Sequence, residues 1–292
     1  MKKLLKFIAY ALGLLILLIG ALAAWLFHQG HQPPKMGSAY VAMGSSFAAG
    51  PGLGDVEPGS PTLCARSTKN YAHLLAKARG LTLTDMSCGG ATTAHVLHGG
   101  QFFQGPQIDA VGPETKLVTV TIGGNDIAYI GGLASWACQA APERVFWLWR
   151  PLACMSLKVG TEADLQKTRA ALIEIAAAVH ERAPKATLVF VDYATVLPAA
   201  GTCPDRLPLG EAHLAQGRVV AAALGRITAE AAAATQSMLV KASEVTAGHD
   251  ICAADSWIVP FGISANPFAT AVLHPTEPSM RAVADAINAR LQ

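Results

Sequence analysis

Five short apolar runs rich in β-branched residues, separated by longer helix-like stretches, limit what this chain can fold into. The runs occupy residues 40–43, 81–86, 117–122, 186–191 and 238–241, and the helix-like stretches occupy 71–79, 163–182, 211–235 and 279–291. Strand and helix therefore alternate along the chain, which predicts an α/β fold with a parallel five-stranded sheet and helices on both faces. A parallel sheet brings the carboxyl ends of its strands to one edge, where ligands bind. At 292 residues, with no internal repeat, one domain beginning near Ser38 is the expected organisation.

Short polar islands sit at three of those strand ends. Gly44-Ser45-Ser46-Phe47 follows the first strand, Gly89-Gly90-Ala91-Thr92-Thr93 the second and Gly123-Gly124-Asn125-Asp126 the third, while His274-Pro275 stands near the C-terminus. A serine, two places suited to donate hydrogen bonds and a late histidine are the components of an acyl-transfer site. Taken separately, each has a plainer use. Ser46 could be a turn or cap residue, Gly89-Gly90 a turn, and Asn125-Asp126 a helix cap. Their order, and their arrival at one sheet edge, favour the catalytic use.

The four islands, in this order, resemble those of the SGNH hydrolases, also called GDSL esterases and lipases, and the resemblance spans most of the chain beyond the N-terminal segment. It implies an SGNH hydrolase fold, doubly wound and flavodoxin-like. It also implies Ser46 as nucleophile, His274 as general base, and an oxyanion hole formed by the Ser46 and Gly90 N–H groups and the Asn125 side-chain amide. Two departures stand in the first block, where Ser45 replaces the usual Asp and Phe47 the usual Leu. A third lies before the histidine, where Ala271 occupies the position of the usual Asp. In the three-disulfide branch of the family a main-chain carbonyl can replace that carboxylate, so the Ala271 carbonyl is expected to orient His274, with Asp255 and Glu277 as alternatives. Among the other histidines, His95 and His98 are candidates to line the cleft. Phe47, Phe102, Phe103 and Tyr129 lean towards an acyl-chain wall.

The resemblance also implies consecutive pairing of the six cysteines: Cys64 with Cys88, Cys138 with Cys154, Cys203 with Cys252. Cysteine counting alone permits fifteen connectivities, and buried thiols are the alternative. Disulfides would accord with an exported chain.

Lys2, Lys3 and Lys6 precede an uncharged stretch over 7–27. About 21 residues at roughly 1.5 Å each reach about 30 Å, the thickness of the hydrocarbon layer. The lysines place the short N-terminal side in the cytoplasm and the remainder outside. A cleaved signal peptide is the competing reading, with Ala21-Leu22-Ala23 as the cleavage region. The length of the apolar run favours an uncleaved anchor. Residues 1–37 then form the cytoplasmic lysines, the anchor and a short stalk, and 38–292 the hydrolase domain. A net charge of +2 with 14% charged residues offers no basic stripe for nucleic acid. No metal or organic cofactor is expected, and the chain is read as a monomer. The expected activity is hydrolysis of carboxylic esters through an acyl-serine intermediate outside the cytoplasmic membrane. The alternatives are an acyltransferase or acetylesterase acting on envelope glycans, and a non-catalytic envelope-binding module with the same fold.

Overall fold

The computed structural model describes residues 2–263 and 271–291. Its elements run α1 (Lys2–Gly30), β1 (Tyr40–Gly44), α2 (Ser46–Ala49), α3 (Tyr71–Arg79), β2 (Leu83–Asp85), α4 (Thr93–His98), β3 (Leu117–Thr121), α5 (Tyr129–Ala140), α6 (Arg150–Ala153), α7 (Glu162–Arg182), β4 (Thr187–Val191), α8 (Glu211–Ala234), β5 (Met238–Val240), α9 (Ala242–Val245) and α10 (Glu277–Arg290). All five strands are parallel, in the order β2-β1-β3-β4-β5. The parallel α/β sheet is the one expected from the alternation, and its doubly wound, flavodoxin-like order is the one the family resemblance implies.

Every residue of β1 and β3 is buried, as a sheet covered on both faces requires. The period-2 alternation sorts their side chains. Tyr40 and Ala42 pack with Tyr71 and Leu75 of α3 and with Val283 and Ile287 of α10. Val41, Met43, Val118 and Val120 face Leu172, Ile175 and Val179 of α7 and Ala231 of α8. A third cluster, containing Leu133, Leu214, Leu224 and Leu273, links α5 and α8 to the loops that cross the carboxyl edge of the sheet.

Two elements depart from sequence expectation. The β2 strand keeps only the middle of residues 81–86. The α5 helix gives no propensity signal, because it carries Gly131 and Gly132 and starts after an uncapped Ala128 with φ of 51°; tertiary packing makes it helical. The segment read as a stalk contacts the domain at two points. Gln29 accepts a hydrogen bond from the Thr62 N–H at 3.0 Å, and the Lys35 carbonyl accepts one from Thr84 Oγ1 at 2.9 Å.

The cysteines join as Cys64–Cys88, Cys138–Cys154 and Cys203–Cys252, separated by 24, 16 and 49 residues, with no free cysteine among the described residues. Closing loops of these lengths restricts the unfolded chain, which corresponds to roughly 3 to 4 kcal/mol per bridge. Thiol titration of the native protein is expected to find no reactive cysteine, and reduction is expected to lower the thermal midpoint. Six titratable thiols in active protein would contradict the bridges.

Candidate active site

Ser46 is the first residue of α2, immediately beyond the carboxyl end of β1. Hydrogen bonds on both sides fix this corner: Ser45 N–H donates to the Thr121 carbonyl at 2.9 Å, and Cys88 N–H donates to the Gly44 carbonyl at 3.0 Å. The Gln107 side-chain amide closes on the same turn, accepting from Gly44 N–H at 2.8 Å and donating to its carbonyl at 3.1 Å. Thus the first three strands and Gln107 together determine where the Ser46 hydroxyl points.

It points at His274. Ser46 Oγ lies 2.7 Å from His274 Nε2, and Nδ1 of the same ring lies 2.8 Å from the Val272 carbonyl. A carbonyl only accepts, so Nδ1 carries the ring proton and Nε2 is left as acceptor for the serine hydroxyl. Enclosure of the ring holds its pKa below the ordinary histidine value, opposed in part by the Val272 carbonyl. At neutral pH the imidazole is therefore uncharged, the form a general base must have.

The orienting carbonyl is Val272, not Ala271. The Ala271 oxygen accepts the main-chain N–H of His274 at 3.2 Å, so it is occupied in closing the turn before the ring. Leu273, with φ of 63°, reverses the chain direction and aims the intervening carbonyl at Nδ1. Neither alternative carboxylate reaches the ring. Asp255 lies beside His249, and Glu277 pairs with Lys69 and Arg281.

The Gly89-Gly90 and Gly124-Asn125 islands lie across the cleft from the histidine. Gly90 has φ of 80°, a conformation that glycine adopts without steric cost. Its N–H and that of Ser46 have no hydrogen-bond partner among the described residues. Asn125 donates from Nδ2 to the Ala91 carbonyl at 2.8 Å, which leaves its second amide hydrogen for the cleft. Asp126 ties the islands together, accepting from Thr93 Oγ1 at 2.6 Å and from Thr93 N–H. Burial pushes its carboxyl up, and the Thr93 bonds oppose that shift.

Tyr193, like Gln107, is a site residue that sequence reasoning missed. Its hydroxyl accepts from Gly124 N–H at 2.9 Å and shares a 3.1 Å hydrogen bond with Ser45 Oγ. Where the family carries Asp, Ser45 thus joins a hydroxyl chain that links the serine corner to the Asn125 loop. Burial pushes the Tyr193 phenol up to about 12, with the Ser45 bond acting the other way, so it stays neutral. Only Gly fits at 124, because a Cβ there would lie 2.6 Å from the Tyr193 hydroxyl oxygen. The available signal was positional: Tyr193 follows β4 at the same sheet edge as the islands.

Together these residues line an apolar cleft of about 390 Å³, whose further walls include Phe47, Pro51, Ile130, Ala134, Ile263 and Val272. Of the aromatics expected to form this wall, only Phe47 does. Tyr129 is buried edge-on against Tyr193, and the Phe103 ring meets Phe27 of α1. His95 is likewise not a cleft residue, since its Nδ1 accepts from Thr92 N–H as part of the α4 cap. His98 lies in the last turn of the same helix, outside the cleft lining. No group of three or more His, Cys, Asp or Glu side chains able to hold a metal ion occurs among the described residues.

Residues 42–282 match the GDSL-like lipase/acylhydrolase family. The chain is 36% identical to Lipase 2 of Streptomyces coelicolor over 256 residues, covering 84% of this chain and 83% of that protein. The crystal structure of an extracellular lipase from Streptomyces rimosus superposes with a TM-score of 0.65 at 26% identity, covering 86% of this chain and 98% of that one. Phospholipase A1 from Streptomyces albidoflavus shares the fold, with the same TM-score at 24% identity and the same two coverages. The chain belongs to the GDSL-like lipase/acylhydrolase family of carboxylic ester hydrolases.

Proposed function

We propose that this protein cleaves acyl esters through an acyl-Ser46 intermediate, on the outer side of the membrane that α1 spans. The observation that carries the reading is the pairing of Ser46 Oγ with the unprotonated Nε2 of His274 at 2.7 Å, at the wall of an apolar cleft.

Ser46 Oγ attacks the ester carbonyl as its proton passes to His274 Nε2. The former carbonyl oxygen then carries negative charge, and it receives hydrogen bonds from Ser46 N–H, Gly90 N–H and Asn125 Nδ2. One such donor is typically worth on the order of 10²- to 10³-fold in rate. Collapse of the intermediate breaks the ester C–O bond, and the alcohol leaves with the proton that His274 held. Water then repeats the sequence on the acyl-enzyme, releasing the acid and restoring the Ser46 hydroxyl. The Val272 carbonyl holds the ring tautomer throughout, in the place of a carboxylate.

The apolar walls support an acyl chain as the group held in the cleft, in keeping with the lipases among the relatives. The uncharged, outward-facing length of α1 after three lysines supports the anchored, exported placement, and the three bridges accord with an oxidising compartment. A fluorophosphonate probe is expected to label the purified protein once, on the peptide containing Ser46. Absence of labelling in folded protein would remove the acyl-serine reading.

A further inference from the structure

The α1 helix joins the domain at the carboxyl edge of the sheet, beside the cleft. Gln29 holds the Thr62 N–H, and the Phe27 ring lies 5.6 Å from the Phe103 ring. Gln101, two residues before Phe103, donates to the Gly89 carbonyl at 2.8 Å, so the helix end is only a few residues from the Gly90 wall. From there the chain runs back along β2, past the Lys35–Thr84 contact, before β1 starts at Tyr40. An anchor that left from the opposite edge would turn the cleft away from the bilayer; this one leaves from the edge that bears it.

A segment joined to the cleft lining at Ile263 and α5 carries a surface of exposed apolar side chains. Trp147 is 67% exposed, Leu148 55%, Leu152 69% and Met155 54%. Their segment is fastened to the cleft lining at two points. Phe146 N–H donates to the Ile263 carbonyl at 2.9 Å, and Ser135 of α5 donates to the Met155 carbonyl at 2.7 Å, one helical turn from Gly131 and next to Ala134. Cys138–Cys154 staples the same segment to α5. From Glu143 to Gly160 there are three cations, Arg144, Arg150 and Lys158, and one carboxylate, Glu143. None of the three forms an ion pair among the described residues. Exposed Trp and Leu in a segment whose Arg150 and Lys158 are exposed suit the interfacial layer of a membrane with anionic headgroups.

We infer that the Trp147–Met155 surface docks on the bilayer that holds α1, laying the cleft mouth on the membrane so that lipid acyl esters pass into it without crossing water. The inference rests on the reading of the protein as an anchored ester hydrolase. Two fixed points, the α1 exit and this surface, then bracket the cleft and fix its facing.

The full chain, reconstituted into phosphatidylcholine/phosphatidylglycerol vesicles with acyl chains brominated at a shallow depth, tests it. The emission lost on Trp147→Ser should be the part quenched by bromolipid and shielded from aqueous iodide. A Trp147 contribution open to iodide and indifferent to bromolipid would overturn docking, whether the surface faces water or a second copy of the chain. In parallel, Leu148→Ser/Leu152→Ser should release fatty acid from vesicle phospholipid roughly tenfold more slowly, with hydrolysis of a soluble short-chain ester unchanged. The soluble ester also reports that the variant is folded. Equal vesicle rates in variant and wild type would overturn the inference. If wild type cleaves neither ester, the hydrolase reading fails, and the quenching result still decides the docking.

Discussion

Ser46→Ala is expected to lower kcat for a soluble p-nitrophenyl ester by on the order of 10⁴- to 10⁶-fold while leaving the thermal unfolding midpoint nearly unchanged. The chemistry loses its covalent step, because among the described residues Ser46 Oγ is the hydroxyl that hydrogen-bonds His274 Nε2. The fold loses little. Among the described residues the Ser46 hydroxyl hydrogen-bonds His274 alone, and Ser46 is only half-buried, so removal leaves Nε2 facing the cleft rather than stranded in a core. Residual turnover above about one per cent, in protein with an unchanged midpoint, would exclude Ser46 as nucleophile.

His274→Ala should cost a comparable factor, whereas Asp255→Asn and Glu277→Gln should change turnover by no more than about twofold, since residues acting as one unit lose most of their effect with any member. Both carboxylates are engaged with His249, Lys69 and Arg281, away from the imidazole. The pH profile carries the matching signature. Burial favours the uncharged ring, so its folded pKa lies below the usual value of about 6.5. The base form therefore stays populated as pH falls through 6.5. The midpoint of the acid limb of kcat/KM should therefore lie below 6.5. An acid limb with its midpoint above 6.5, or a loss of about 10³-fold in either carboxylate variant, would mean that a negative charge has been recruited to the ring.

The parallel sheet was legible because it rests on a local pattern, whereas Ser46 and His274 were singled out by their resemblance to the first and last blocks of the family. Apolar runs alternating with helices predict a parallel sheet, and a parallel sheet predicts which polar islands meet. What was hidden depends on geometry that one position does not encode. Tyr193 and Gln107 are single polar residues in unremarkable contexts, and they matter only because β4 ends beside Gly124 and because the 107–110 turn crosses Gly44. The offset from Ala271 to Val272 comes from one left-handed residue, Leu273. Leucine rarely adopts that conformation, so its sequence gave no warning. Phe102 and Phe103 were misplaced for a related reason: they lie near the Gly90 island in sequence, but both have positive φ, and the turn they form meets α1 rather than the cleft.

The three bridges never interlock. Cys64 pairs with the next cysteine in the chain, as do Cys138 and Cys203, and each loop closes before the following one opens. For a chain emerging N-terminus first into an oxidising space, the partner of every waiting thiol is simply the next thiol to arrive. Pairing in order of appearance therefore yields the native set, whereas most of the fifteen possible connectivities would need a cysteine to be passed over. Biogenesis of this enzyme should then depend on a thiol oxidase but not on a disulfide isomerase, and yield in cells lacking only the isomerase should match that in cells that have it.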